Sequence, residues 1–141
     1  MFLATTALEE FWDTDQKKIL IAGEWCQRYK KNYSLEMESL AYIWRDVRDI
    51  HKAQLYCNRV YETTLLDLTR SLNSYLGITK EVNYYRILLG NWLVHFIHQA
   101  YDKYKILDLA TKYGATYTWT LDKEQYYYPF DFADYTLHTA C

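Results

Sequence analysis

A chain of 141 residues is long enough for one domain with a substantial apolar core. Half of its residues are apolar and 24% are charged, a balance that excludes an intrinsically disordered chain. Sixteen basic against eighteen acidic residues give a net charge of −2, which leaves no basic footprint and argues against nucleic acid as a partner. The chain is rich in Tyr (16) and also has five Trp, residues that suit sugar or peptide surfaces and ordinary core positions alike, because each joins an apolar face to a polar handle.

In chain order, Thr6-Ala7-Leu8-Glu9 has capping-box spacing and predicts a short helix over 7–12. The polar stretch 13–18 connects it to Ile19-Leu20-Ile21-Ala22, an apolar β-branched run ending at Gly23 that reads as a buried strand of parallel type. Residues 30–45 lack a period, with a short turn of helix expected within 35–41. From Val47, apolar residues at 50, 55, 60, 65, 68 and 72 predict a long helix that ends near Leu76, with Gly77 as its C′ residue. Thr79 is placed to cap a second long helix over 80–112, closed by Gly114. Residues 116–121 alternate β-branched and aromatic side chains and predict a second strand, and the tail 122–141 shows no period. Two short strands so far apart make a marginal sheet by themselves, so the expected fold class is a helix-rich α/β piece of something larger.

Cys26, Cys57 and Cys141 fit neither a disulfide framework nor a metal signature, and they point to a reducing, cytoplasmic setting. The N-terminus lacks a basic n-region and soon meets Glu9 and Glu10, so it is not a signal peptide. The most apolar stretch, 87–97, contains Asn91 and His95 and falls short of the roughly 20 residues that span a bilayer.

Chemistry has few places to sit. Glu24-Trp25-Cys26 follows the first predicted strand, at the strand end where open α/β folds place ligands. There Glu24 suits a general base and Trp25 a stacking platform for a pyranose; the bland alternative is an ion pair for Glu24 and a sheet-edge plug for Trp25. Cys26 lacks an identifiable base and reads as an inert buried thiol. Asn91, His95, His98 and Asp102 form one stripe on the second helix, but His-x-x-His without a fourth ligand is not a zinc signature, and no metal is assigned. Arg86 is suited to clamp a phosphate or carboxylate; the alternatives are pairing with Glu24 or Asp108, or simply snorkelling to water.

Three blocks together carry a family resemblance: Ala4-Thr5-Thr6-Ala7-Leu8-Glu9-Glu10-Phe11-Trp12, Ile19-Leu20-Ile21-Ala22-Gly23-Glu24-Trp25-Cys26, and Tyr84-Tyr85-Arg86-Ile87-Leu88-Leu89-Gly90-Asn91-Trp92-Leu93. They resemble the N-terminal part of a transferase family found in bacterial surface-polysaccharide (O-antigen and capsule) gene clusters, with Asn91 standing where the family pattern has proline. The resemblance implies a two-lobed, glycosyltransferase-like α/β architecture of which residues 1–141 are an N-terminal domain or fragment. It further implies a carbohydrate acceptor on this side and a nucleotide-activated sugar bound largely by a C-terminal lobe, so that this segment is inactive alone. The candidate residues are then Glu24 as catalytic, with Trp25, Arg86 and Trp92 as substrate-binding. Such a chain needs no membrane span, although peripheral membrane proximity fits its substrates. The competing expectation is a non-enzymatic helical protein-interaction module that uses its aromatic surface.

Overall fold

The computed structural model describes residues 1–31 and 34–120. Its elements are β1 (Leu3–Ala4), β2 (Lys18–Ile21), β3 (Glu36–Ser39), α1 (Val47–Leu76) and α2 (Val82–Lys112), with 3-10 segments at Glu9–Phe11 and Glu24–Tyr29. This is an α/β fold with two long helices and short strands. The chain divides into two compact units, residues 1–43 with 104 onward, and residues 44–103.

The first unit is built on a parallel sheet of order β1-β2-β3. In β2, Ile19, Leu20 and Ile21 are all fully buried, as a central strand covered on both faces requires. Leu3 pairs with Leu20 and Ala4 with Ile21 on one side, while Lys18 through Ile21 pair with Glu36 through Ser39 on the other. The core adds Phe2, Trp12, Cys26, Leu35 and Leu40, and Ala110 from the last turns of α2.

β3 replaces the turn of helix expected within 35–41. Glu36-Met37-Glu38-Ser39 has little intrinsic β preference, but in-register pairing with β2 and the Lys18–Glu38 ion pair (2.9 Å) override it. β1 was too short to leave a periodic signal. The strand expected over 116–121 is, among its described residues, an isolated parallel bridge of Tyr117 to Phe2. Leu3 N–H donates to the Tyr117 carbonyl at 2.9 Å, and the Thr118 hydroxyl donates to the Leu3 carbonyl at 2.7 Å. The expected irregular tail, 122–141, and Cys141 lie outside the described residues.

The helix expected over 7–12 is only the 3-10 turn Glu9–Phe11, because the capping box does not close. Thr6 Oγ1 accepts from the Leu8 amide (3.2 Å), but the Glu9 carboxylate accepts from the backbone amide of Lys31 instead of reaching back to its own turn. Trp12, 2% exposed, fixes the turn by donating Nε1–H to the Thr6 carbonyl at 2.8 Å.

The second unit is a helical hairpin. Asp46 caps α1 by accepting from the Arg48 amide at 2.8 Å, so the charge run at 45–49 is a helix start. Gly77, at φ +64°, ends α1, and the Ile78 amide donates back to the Asn73 carbonyl at 3.1 Å, the six-to-one bond of a Schellman cap. Asn73 also holds the connection: Nδ2 donates to the Lys80 carbonyl (2.8 Å), and Oδ1 accepts from the Lys80 amide (3.0 Å) and the Tyr85 hydroxyl (2.8 Å). This clamp keeps residue 80 out of the helix, so α2 begins at Val82 and not at the expected 80. Cys57 and Leu65 of α1 meet Tyr85, Leu93 and Ile97 of α2 in the hairpin core. Replacing Asn73 with Ala removes three side-chain hydrogen bonds, and a loss of about 1–3 kcal/mol in urea unfolding is expected. An unchanged midpoint would show that the connection holds without the clamp.

Candidate functional site at the end of the central strand

β2 runs directly into Ala22, Gly23 and the 3-10 segment Glu24–Tyr29, so these residues occupy the carboxyl edge of the sheet. The register that pairs Ala4 with Ile21, continued by the Ala22 amide donating to the Ala4 carbonyl (2.9 Å), brings Thr5 and Thr6 level with this turn. Cys26 closes the turn from below. Its amide donates to the Gly23 carbonyl (3.0 Å), and its fully buried thiol faces the Ala4 carbonyl with Sγ at 3.6 Å.

Gly23 has an extended backbone, so the demand for glycine is spatial. A Cβ there would lie 2.6 Å from Trp25 Nε1 and 2.8 Å from Cδ1. The Trp25 indole therefore folds back over the Gly23 Cα while remaining 38% exposed, and Glu24 between them is exposed. This exposed turn, carrying Glu24 and Trp25 in succession, forms a shelf at the carboxyl edge of the sheet, the edge where open parallel sheets commonly place ligands. Replacing Gly23 with Ala must displace the indole, and a red shift in emission relative to a Trp25→Phe background is the expected signature. Identical spectra would mean that the ring does not rest there.

Arg86 and Trp92 belong to the second unit. Arg86 forms a bidentate pair with Glu62 of α1 (2.7 and 2.8 Å) and lies over the Tyr61 ring at 5.6 Å. Hydrogen bonding across the pair holds the Glu62 carboxyl below its ordinary value and raises the guanidinium further above its own. The alternatives of Glu24 or Asp108 as its partner give way to Glu62; Asp108 is bonded to Lys112, one turn on, at 2.7 Å. Gly90 is the counterpart of Gly23 in this unit: a Cβ there would meet the Tyr61 hydroxyl at 2.7 Å. Trp92 stacks on Phe96 with centroids 5.1 Å apart and is 40% exposed. Six residues separate Arg86 from Trp92, about 240° around a helix, so the two do not share a face.

Of the four candidates, then, only Glu24 and Trp25 are adjacent on one shelf. Of the histidine stripe, Asp102 accepts from the Trp44 indole N–H at 2.5 Å. Among the described residues no group of three His, Cys, Asp or Glu is arranged to hold a metal. Sequence reasoning missed the Thr5–Thr6 neighbourhood of the shelf, because a two-residue β1 has no period; the adjacency of Ala4-Thr5-Thr6 to a buried apolar pair was the available clue.

A three-stranded parallel sheet with two long helices makes this an α/β protein. The family model described as LIC12162 family transferase matches residues 1–141, and the chain belongs to that family. No curated protein and no solved structure matches it. Among the described residues, no helix is long and apolar enough to cross a membrane.

Proposed function

We propose that this chain is the acceptor side of a glycosyltransferase for bacterial surface polysaccharide of the O-antigen or capsule type, working in the cytoplasm. The observation that carries the reading is the Glu24–Trp25 shelf at the sheet's carboxyl edge, in a chain of a transferase family. Trp25 stacks on the C–H face of an acceptor pyranose. Glu24 takes the proton of the acceptor hydroxyl as its oxygen bonds to the anomeric carbon of a nucleotide-activated sugar, and the nucleoside diphosphate departs with the electrons of the broken C–O bond. Arg86, with its fork closed by Glu62, and Trp92, stacked on Phe96, carry no part of this assignment. Donor contacts come, on this reading, from a C-terminal lobe, and residues 1–141 alone do not turn over.

The test is nucleoside diphosphate release by the natural gene product containing residues 1–141, with UDP-, GDP- and dTDP-hexoses and a lipid-linked saccharide acceptor. Acceptor-dependent release with one donor class supports the reading. Release that is acceptor-independent, or absent with every donor, counts against it. A second reading, a helical protein-interaction module, is favoured by the exposed α2 residues Ile87 (85%) and Leu88 (60%). Co-purification of a stoichiometric protein that is lost on replacing both with Ser would support it.

A further inference from the structure

A second group of rings lies wholly within residues 44–103. Trp44 precedes α1, Tyr56 lies on α1, and Tyr101 and Asp102 lie on α2. The Tyr56 and Tyr101 centroids are 5.0 Å apart with planes 34° from parallel, and those of Trp44 and Tyr101 are 6.1 Å apart at 30°. The rings are thus shallowly tilted toward one another and not edge-to-face. Trp44 Nε1–H donates to Asp102 Oδ1 at 2.5 Å, which ties a carboxylate to the edge of the group.

Tyr101 packs against the hairpin core, but two features of the group go beyond core filling. Tyr56 leaves 51% of its surface in water, so much of its area is not spent on packing. Asp102 is half-exposed and, among the described residues, makes no ion pair, so a ligand hydroxyl can reach its carboxylate. The indole N–H fixes one carboxylate oxygen and so orients the other. A pyranose has the complementary chemistry: a C–H face for the rings and hydroxyl donors for the carboxylate, whose charge strengthens those bonds.

We propose that Trp44, Tyr56, Tyr101 and Asp102 form a pyranose-binding subsite that takes neutral sugars and rejects uronic acids, which would set a second carboxylate against Asp102. The proposal rests on the sugar-transfer reading of the chain. The subsite is a binding site only; no bond is made or broken there.

The test is an NMR titration of the Trp44 indole N–H resonance, assigned by its absence in Trp44→Phe. Methyl β-D-glucopyranoside is added to the 141-residue chain, with the corresponding glucuronide and the open-chain polyol sorbitol as comparisons. A ligand of this size supports a Kd on the order of millimolar, so the expected result is a saturable shift with the pyranoside alone. Tyr56→Ala, at a half-exposed position, and Asp102→Asn, which keeps an acceptor for the indole, are each expected to weaken binding at least about tenfold with the thermal melt unchanged. No saturable shift up to about 100 mM, an equal response to sorbitol, or undiminished binding in Tyr56→Ala overturns the subsite. Saccharide binding at Trp44 without nucleoside diphosphate release by the gene product would retain the subsite and remove the transfer reading. Release with a silent Trp44 resonance would do the reverse.

Discussion

Glu24→Gln in the natural gene product is expected, on the sugar-transfer reading, to lower kcat by roughly 10²–10⁴-fold, the range attributed to a positioned general base, while the acceptor KM changes little. Gln keeps the size and hydrogen-bonding reach of Glu but cannot accept the acceptor's proton. Glu24 is exposed at the start of a 3-10 segment, so its replacement should leave stability within about 0.5 kcal/mol. The loss then belongs to chemistry and not to folding. Trp25→Ala is the complementary change, because a stacking platform contributes to binding and its removal should raise the acceptor KM with kcat less affected. A Glu24→Gln enzyme within twofold of wild type would take this carboxylate out of the reaction.

Trp12→Ala should have the largest effect on stability, about 3–5 kcal/mol, as for other buried large aromatic truncations. Trp12 is 2% exposed, packs with the sheet core, and satisfies the Thr6 carbonyl through its indole N–H. The variant leaves a cavity and an unpaired acceptor at once. For a chain of this size the melting temperature should fall by roughly 10 °C or more. Trp12→Phe separates the two parts: it restores most of the apolar volume and should retain only the hydrogen-bond loss, about 1–2 kcal/mol. Trp25, on the shelf of the same unit, is the internal contrast, since its partial exposure predicts little cost. If Trp12→Ala melted with the wild type, the first unit would not depend on this turn.

Both long helices were legible because their signals are redundant over many turns. The apolar spacing from Val47 and a glycine at the end fixed α1 nearly to the residue, and only the Asn73 clamp moved the start of α2. The short strands were legible only where burial on both faces forced a continuous apolar run, as in Ile19-Leu20-Ile21. β3 escaped because its Glu-rich sequence favours helix and its strand state is imposed by β2. The 7–12 helix failed for a related reason: the spacing of Thr6 and Glu9 was right for a cap, but the Glu9 side chain bonds Lys31, a choice no local pattern records. At the site, the strand-end position of Glu24 and Trp25 followed from one strand and one glycine. The Glu62 partner of Arg86 did not, since it depends on how two helices face each other.

The pairing of Leu3 with residues 117 and 118 has a consequence for the order in which the molecule assembles. The Thr118 bond to Leu3 spans 115 positions of sequence, and the whole of residues 44–103 lies between the two segments of the first unit. Contacts that distant close slowly, because chain entropy must be lost before any bond offsets it. During synthesis the hairpin of residues 44–103 can therefore form while the sheet still lacks its last partner. Leu3 stays unpaired on that side until residue 118 has left the ribosome. In a population of arrested nascent chains, protease protection of the hairpin should precede protection of the N-terminal segment, the reverse of the order in which the two are translated.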